Sequence, residues 1–410
     1  MQLKYLNFYK IISQFATNIV GAFVPLLIFQ ATGSLVYTFI YVLCELSMRI
    51  ILNACFFKLF KKYPQIMLLL RVFPVLIYSL CIFLLDYNLV LGVVLVGFFY
   101  AMSFSFKEIP MEIVFNYSSL NGTDSQSKGL GASRMFEQAG LLISIVLGGL
   151  FIEKLGKTIP IIIAIVSYLI SIIPLVMYYV KEKSNPLFNK DAVSNAVESF
   201  GDSKVKTLQE KNIKKKVLRN IFWSYFLSSA PDEVTTMFMI FLFAKNPNAY
   251  SLAGYMQATM WFAYGIGCLF TEKYADKHDL TKAFIISVCA VTALTIILPF
   301  TVIYNVPGLA ILVFAIMGFF YGIISSYQIN SLFAKTRIMG ISNDGLYVRA
   351  MGYCTARVPG FIIAMFGISC LPFAIWACGA IHLNATYLNP RLDENNRSLI
   401  VDYLQNNKMY

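Results

Sequence analysis

The chain has 410 residues, of which 58% are apolar and 13% charged, with a mean hydropathy of +0.67 and a formal net charge of +12. A soluble globular chain carries about 25% charged residues, so the composition excludes an ordinary water-soluble domain and points into a bilayer. The eight cysteines form no CxxC pair, and the two histidines, His278 and His382, stand far apart. A disulfide framework, a zinc cluster and a histidine metal site are therefore not indicated.

A membrane-crossing helix needs about 20 apolar residues. In chain order the apolar runs predict twelve of them: 7–31, 34–57, 65–86, 88–116, 131–152, 158–180, 218–244, 250–271, 282–304, 307–332, 346–368 and 370–388. The first is too long for a signal-peptide core and has no small-residue cleavage pattern, so it reads as a span. Between the sixth and seventh lies a polar stretch carrying KEKSNPLFNKD and KNIKKK. The expected organisation is a bundle of six helices over 1–180, a cytoplasmic linker over 181–217, a second six-helix bundle over 218–390 and a cytoplasmic tail over 391–410. Lysines and arginines crowd the linker and the loops on its side, while the opposite loops hold only Lys154, Lys157 and Lys245. By the positive-inside rule this puts the linker and both termini in the cytoplasm. Topology thus explains the basic balance, and the expected partners are the lipid bilayer and a small-molecule substrate rather than nucleic acid.

The two halves share local patterns. GFFYAMSFSFK (97–107) in the fourth segment matches GFFYGIISSYQ (318–328) in the tenth, each ending on a polar residue, Lys107 or Gln328. Lys58 and Lys273, and Arg134 and Arg349, recur at a common interval. Three matches in order suggest two related six-helix halves, an arrangement found in secondary transporters.

Twelve spans, a six-plus-six split and a basic cytoplasmic linker resemble the major facilitator superfamily over nearly the whole chain. The turn ATGS (31–34) is similar to the short outer turn of its drug and siderophore exporters. The loop after the second segment, FFKLFKKYPQ, keeps the basic end of that family's Gly/Asp/Arg/Gly signature, and GIGCLFTEKYADKHDLTK in the second half lies closer to it, with Gly267, Glu272 and Lys273. In the fifth segment Gly140, Gly148 and Gly149 fit three positions of the superfamily's antiporter pattern. The resemblance implies an all-α integral membrane protein with the major facilitator fold, twelve transmembrane helices in two pseudo-symmetric six-helix bundles. It also implies a plasma-membrane location, a monomer, no cofactor, and a proton or cation gradient as energy source.

Ionisable residues inside the membrane cost roughly 2.5–3.5 kcal/mol each on insertion scales and are functional candidates for that reason. Glu108 and Glu112 share one face of the fourth segment, with Lys107 beside them, and Pro110 deletes the backbone hydrogen bond to the Phe106 carbonyl and is expected to kink the helix. Counted at 1.5 Å per residue, Lys107 falls roughly 28 Å from the outer start, past the midplane. These charges are expected to face a central cavity, although Glu112 also fits an amphipathic inner extension. Asp232 and Glu233 follow Pro231 near the centre of the seventh segment, and the equivalent part of the first carries Gln14 and Asn18. A carboxylate shielded from water can hold and release a proton near neutral pH, so Asp232 is the first candidate carrier. The other reading is neutralisation by an arginine from a neighbouring helix.

Arg349 and Arg357 lie two turns apart on the eleventh segment, and Arg357 can meet an anionic group or balance Asp232. Glu45 and Arg49, four apart, are expected to pair with each other. Glu137, one turn from Arg134, is a gating or pairing residue. Gly140, Ser144 and Gly148 form a small-residue stripe for close helix packing or gating. Arg71 is expected to snorkel to the interface, and His382 to be a packing residue. With six interior acids (Glu45, Glu108, Glu112, Glu137, Asp232 and Glu233) against four bases (Arg49, Lys107, Arg349 and Arg357), a slight acidic excess fits a cationic substrate or exchangeable protons.

No Walker loop, HExxH or GxSxG is present, so no enzyme is indicated. The sequence reads as a proton-coupled exporter of a small amphipathic molecule. Uptake of an anionic solute, movement of a lipid-like molecule, and a non-transporting receptor or scaffold are the alternatives.

Overall fold

The computed structural model describes residues 2–120, 126–183, 208–232, 238–244, 246–275, 280–366 and 370–406. Among these residues the chain is helical and has no strand. The first part comprises α1 (Gln2–Gly21), α2 (Val24–Thr32), α3 (Leu35–Lys62), α4 (Pro64–Leu70), α5 (Val72–Leu84), α6 (Leu89–Leu120), α7 (Gln126–Leu155) and α8 (Thr158–Lys183). After residues 184–207 come α9 (Leu208–Ser229), a π-helical turn (Met239–Phe243), α10 (Ala249–Ala275), α11 (Leu280–Ile303), α12 (Pro307–Ile338), α13 (Ser342–Ala364) and α14 (Leu371–Asn406). Helix is the local solution because hydrocarbon offers the backbone no hydrogen-bond partners, and a helix satisfies its own.

Among the described residues, eight stretches are long and apolar enough to cross a membrane: Lys4–Thr32, Leu35–Lys62, Pro64–Leu84, Leu89–Val114, Glu137–Leu155, Thr158–Lys181, Leu280–Ile303 and Pro307–Ile338. The other four expected spans are helical where described but more polar. Their helices carry the Lys214–Lys216 run in α9, tyrosines and Gln257 in α10, Arg349 and Arg357 in α13, and an Asn- and Arg-bearing second half in α14.

Three of the expected helices are interrupted, each beside a proline. Proline cannot donate the hydrogen bond that a helix needs from that position. α1 and α2 part at Ala22 and Phe23, ahead of Pro25, and Gly33 closes α2 in the left-handed region (φ 62°) within the ATGS turn. The third span breaks at Arg71, three residues before Pro74. The expected helix over 218–244 is corrected: α9 stops at Ser229, and the N–H of Asp232 donates to the Ser229 carbonyl at 3.2 Å in a turn through Pro231. By contrast α6 continues through Pro110 to Leu120, so the charged stretch after Met102 stays helical. α14 also runs on to Asn406, held to α12 where Asp393 ion-pairs with Lys335 and accepts from the Tyr327 hydroxyl at 2.7 Å.

Small residues let helices approach closely in lipid, where packing rather than water drives association. A Cβ on Gly140 would run into the Ile11 carbonyl of α1, and one on Gly352 into the Phe222 carbonyl of α9. Likewise Gly97 abuts the Tyr41 carbonyl of α3, and Gly318 the Met260 carbonyl of α10. Each contact made early in the chain thus recurs between the corresponding later helices. Two long seams join the early helices to the late ones: α7 packs along α10, and α3 along α13.

Candidate functional site

A cavity of about 400 Å³ lies where α1, α3, α6 and α7 face α9, α10, α12 and α13. The broken end of α9 places Asp232 on its wall, and the unbroken α6 places Lys107, Glu108 and Glu112 there. Gln14, Asn18, Glu45, Arg49, Glu137, Gln328, Arg349 and Arg357 line it too. The repeat partners Tyr100 and Tyr321, and Lys107 and Gln328, all reach this one space.

Among the described residues, four ion pairs organise the wall. Glu45 and Arg49 pair within α3, and the Arg49 guanidinium lies 3.6 Å from the centre of the Phe104 ring. That contact adds cation–π attraction to a side chain only 3% exposed. Lys107 connects three helices: its Nζ donates to Gln14 Oε1 of α1 and, at 2.7 Å, to Glu137 Oε1 of α7. Arg349 of α13 donates to Glu112 of α6 at 3.2 Å. Arg357 Nη2 stands 3.8 Å from Asp232 Oδ2, an electrostatic contact longer than a hydrogen bond, and its guanidinium covers the Tyr353 ring at 3.7 Å. Glu108 lies one turn from Glu112, within electrostatic reach of both Arg49 and Arg349.

The neutral groups are tied down as well. Asn18 Nδ2 donates to the Gln14 carbonyl at 2.8 Å, and Gln328 Nε2 to the Ser224 carbonyl at 3.3 Å. Glu233 lies outside the described residues, as does the side chain of Arg134, whose backbone belongs to α7. Gly140, Gly148 and Gly149 sit on packing seams of α7 rather than on the cavity wall. Gly148 abuts the Ile19 carbonyl and the Phe23 ring, and Gly149 abuts the Tyr250 carbonyl of α10. Phe23 and Tyr250 meet edge-to-face with ring centres 6.1 Å apart, and a Cβ on Gly254 would stand 3.0 Å from the Ile145 carbonyl. These contacts knit the end of α1 and its break before α2 to α7 and α10 at one end of the cavity.

Sequence reasoning missed Lys10, which lines the cavity and is 6% exposed. Its signal is the spacing: Lys10, Gln14 and Asn18 recur every fourth residue on one face of α1. With Lys10 counted, the described wall carries five bases (Lys10, Arg49, Lys107, Arg349 and Arg357) and five acids (Glu45, Glu108, Glu112, Glu137 and Asp232). The acidic excess expected from sequence is therefore absent among the described residues.

Arg71 is a second correction. It does not snorkel but is wholly buried at 0% exposure, donating from Nε to the Ser103 carbonyl at 2.9 Å and from Nη2 to Thr17 Oγ1 at 2.8 Å. The break between α4 and α5 falls at this residue, and the side chain lies among helices instead of along the lipid face. His382 is fully buried behind Tyr321, with ring centres 6.3 Å apart.

The family model for the Major Facilitator Superfamily matches residues 118–352, more than half of the chain. No curated protein matches it.

Proposed function

This chain belongs to the major facilitator superfamily, whose members are secondary transporters that cross the membrane many times, and we propose that it exports a small amphipathic molecule in exchange for protons. The observation that carries this reading is the set of four ion pairs on one cavity wall, three of them joining different structural elements. In a low-dielectric interior a carboxylate and a base neutralise each other, and a proton on the carboxylate releases the base. Protonation of Asp232 would loosen its hold on Arg357, and protonation of Glu112 its hold on Arg349. The cavity is also walled by aromatic side chains, among them Tyr41, Tyr100, Phe104, Trp261 and Tyr264. Aromatic faces beside ion pairs suit a ligand with an apolar body and a charged end.

In this reading two six-helix bundles, 1–180 and 218–390, rock about the cavity and expose it to each side in turn. The recurrence of the glycine contacts supports the pseudo-symmetry, as does the pairing of α7 with α10 and α3 with α13. The reading includes twelve spans in the plasma membrane, with the 181–217 linker and both termini cytoplasmic. It needs no cofactor beyond the ion gradient, and the chain works as a monomer.

Uptake of an anionic solute, held by Arg357 and Lys107, is a second reading, and the buried Lys10 favours it. An accumulation screen of cells with and without the protein against a compound panel identifies the substrate and its direction. Vesicles carrying the purified protein then test coupling. An imposed proton gradient should drive the flux, and Asp232→Asn should abolish the drive. A flux indifferent to the gradient refutes proton coupling, and full transport by D232N removes Asp232 from the mechanism.

A further inference from the structure

We propose that Arg71, Tyr9 and Tyr168 form a binding site for a small monovalent anion of chloride size, enclosed by α1, α6, α8 and the α4–α5 break, one layer behind the cavity wall. A guanidinium stays protonated in any protein environment, so Arg71 cannot relieve its burial by losing a proton. It is 0% exposed, yet none of the six ion pairs among the described residues includes it. Its two hydrogen-bond acceptors, the Ser103 carbonyl and the Thr17 hydroxyl, are neutral. A buried charge without a counter-charge is a large penalty that a folded protein normally removes by pairing.

The donors around it point to the partner. Arg71 Nη1 and the hydroxyls of Tyr9 and Tyr168 are buried, and among the described residues none of them makes a hydrogen bond of good geometry. The three groups act on one another electrostatically and through weak side-chain hydrogen bonds, all neutral apart from the guanidinium itself, and the Arg71 guanidinium stands 5.4 Å from the centre of the Tyr168 ring. Two phenols and a guanidinium N–H can all donate to a single acceptor. A water molecule would accept from them but bring no charge. A monovalent anion accepts from all three and cancels the charge of Arg71. A divalent anion would replace one uncompensated charge by another.

The site also has a route to the cavity. Tyr78 donates from its hydroxyl to the Thr17 carbonyl at 2.9 Å and packs against Tyr100, with ring centres 5.5 Å apart. Tyr100 is on the cavity wall, and Thr17 precedes Asn18 on α1. An anion on Arg71 therefore fixes the stretch of α1 that presents Gln14 and Asn18. Burial, charge and the donors around Arg71 carry this site whatever the chain transports.

The test is thermal unfolding of the purified full chain in detergent, titrated with sodium chloride against sodium gluconate at constant ionic strength. Wild type should show a saturable rise in melting temperature with chloride, reproduced by bromide and nitrate but not by sulfate. Arg71→Met keeps much of the volume and removes the charge, so its melting temperature should not respond to chloride and should not fall below that of wild type in gluconate. Tyr168→Phe keeps the charge and removes one donor, and should raise the half-saturating chloride concentration about tenfold or more. That second variant keeps the test decisive if R71M fails to fold. A wild-type melting temperature indifferent to the anion, or a chloride response unchanged in either R71M or Y168F, overturns the proposal.

Discussion

The pair between Glu112 on α6 and Arg349 on α13 allows a quantitative prediction, because it ties an early helix to a late one beside the cavity. The two side chains are 23% and 19% exposed, between the limits of a surface pair and a fully buried one. Surface pairs are worth about 0.2–1 kcal/mol, and removing one partner of a buried pair costs about 3–5 kcal/mol. A loss of about 2 kcal/mol is the expected value for this intermediate case, worth about 30-fold in an equilibrium between a state that makes the contact and one that does not. Glu112→Gln alone should show less, since Glu108 lies within electrostatic reach of Arg349 and can take over part of the attraction. The double variant E108Q/E112Q removes both carboxylates and should show the full shift. Spin labels at Lys58 on α3 and Ile338 on α12, both exposed, report the separation across that end by pulsed electron resonance once the native cysteines are replaced. The double variant should move most of the population to a longer distance, with E112Q between it and wild type. A distance distribution identical to wild type in E108Q/E112Q would show that this contact does not hold the two sides together.

Other consequences follow from burial and packing. Glu45→Gln strands Arg49, 3% exposed, without its carboxylate, and should cost about 3–5 kcal/mol in unfolding experiments; E45L/R49M, which removes both charges, should recover most of that. Gly148→Val forces a branched side chain against the Ile19 carbonyl and the Phe23 ring, an overpacking worth about 1–3 kcal/mol by the same measurement. Asp393→Ala leaves Lys335, the Tyr327 hydroxyl and Ser331 without a shared acceptor. It should lower stability by about 3 kcal/mol and speed proteolysis within the second half of α14.

The membrane class was legible because lipid demands long apolar runs and a self-satisfied backbone, and those demands write directly into composition. The charged face of α6 was legible as well: Lys107, Glu108 and Glu112 come together because a 3.6-residue period is fixed by geometry. So was the Glu45–Arg49 pair, which needs only a spacing of four. Pairs between helices were harder. Nothing local ties Lys107 to Glu137 or Arg349 to Glu112, and only the three-dimensional packing brings them within reach. The ends of helices were misjudged where prolines act. α9 ends at Ser229, before Pro231 and Asp232, whereas α6 runs on through Pro110, so the residue type alone does not decide the outcome. Arg71 was misread because a long basic side chain near a span's end usually reaches the interface; a break at its own position accompanies its turn inward. Lys10 was overlooked because a lysine in the first turns of a span resembles a topological anchor until its register with Gln14 and Asn18 is noticed.

The account depends on the end of the cavity formed by Phe23, Tyr250 and the α7–α10 seam parting during each transport cycle. A cysteine pair at Ile145 and Gly254, where the Ile145 carbonyl lies 3.0 Å from the place a Gly254 Cβ would take, placed in a chain without its eight native cysteines, can lock it. With the substrate found by the compound screen, vesicles bearing this variant should transport when reduced, stop when the cross-link forms, and resume when it is reduced again. Undiminished transport by protein shown to be fully cross-linked would contradict the account.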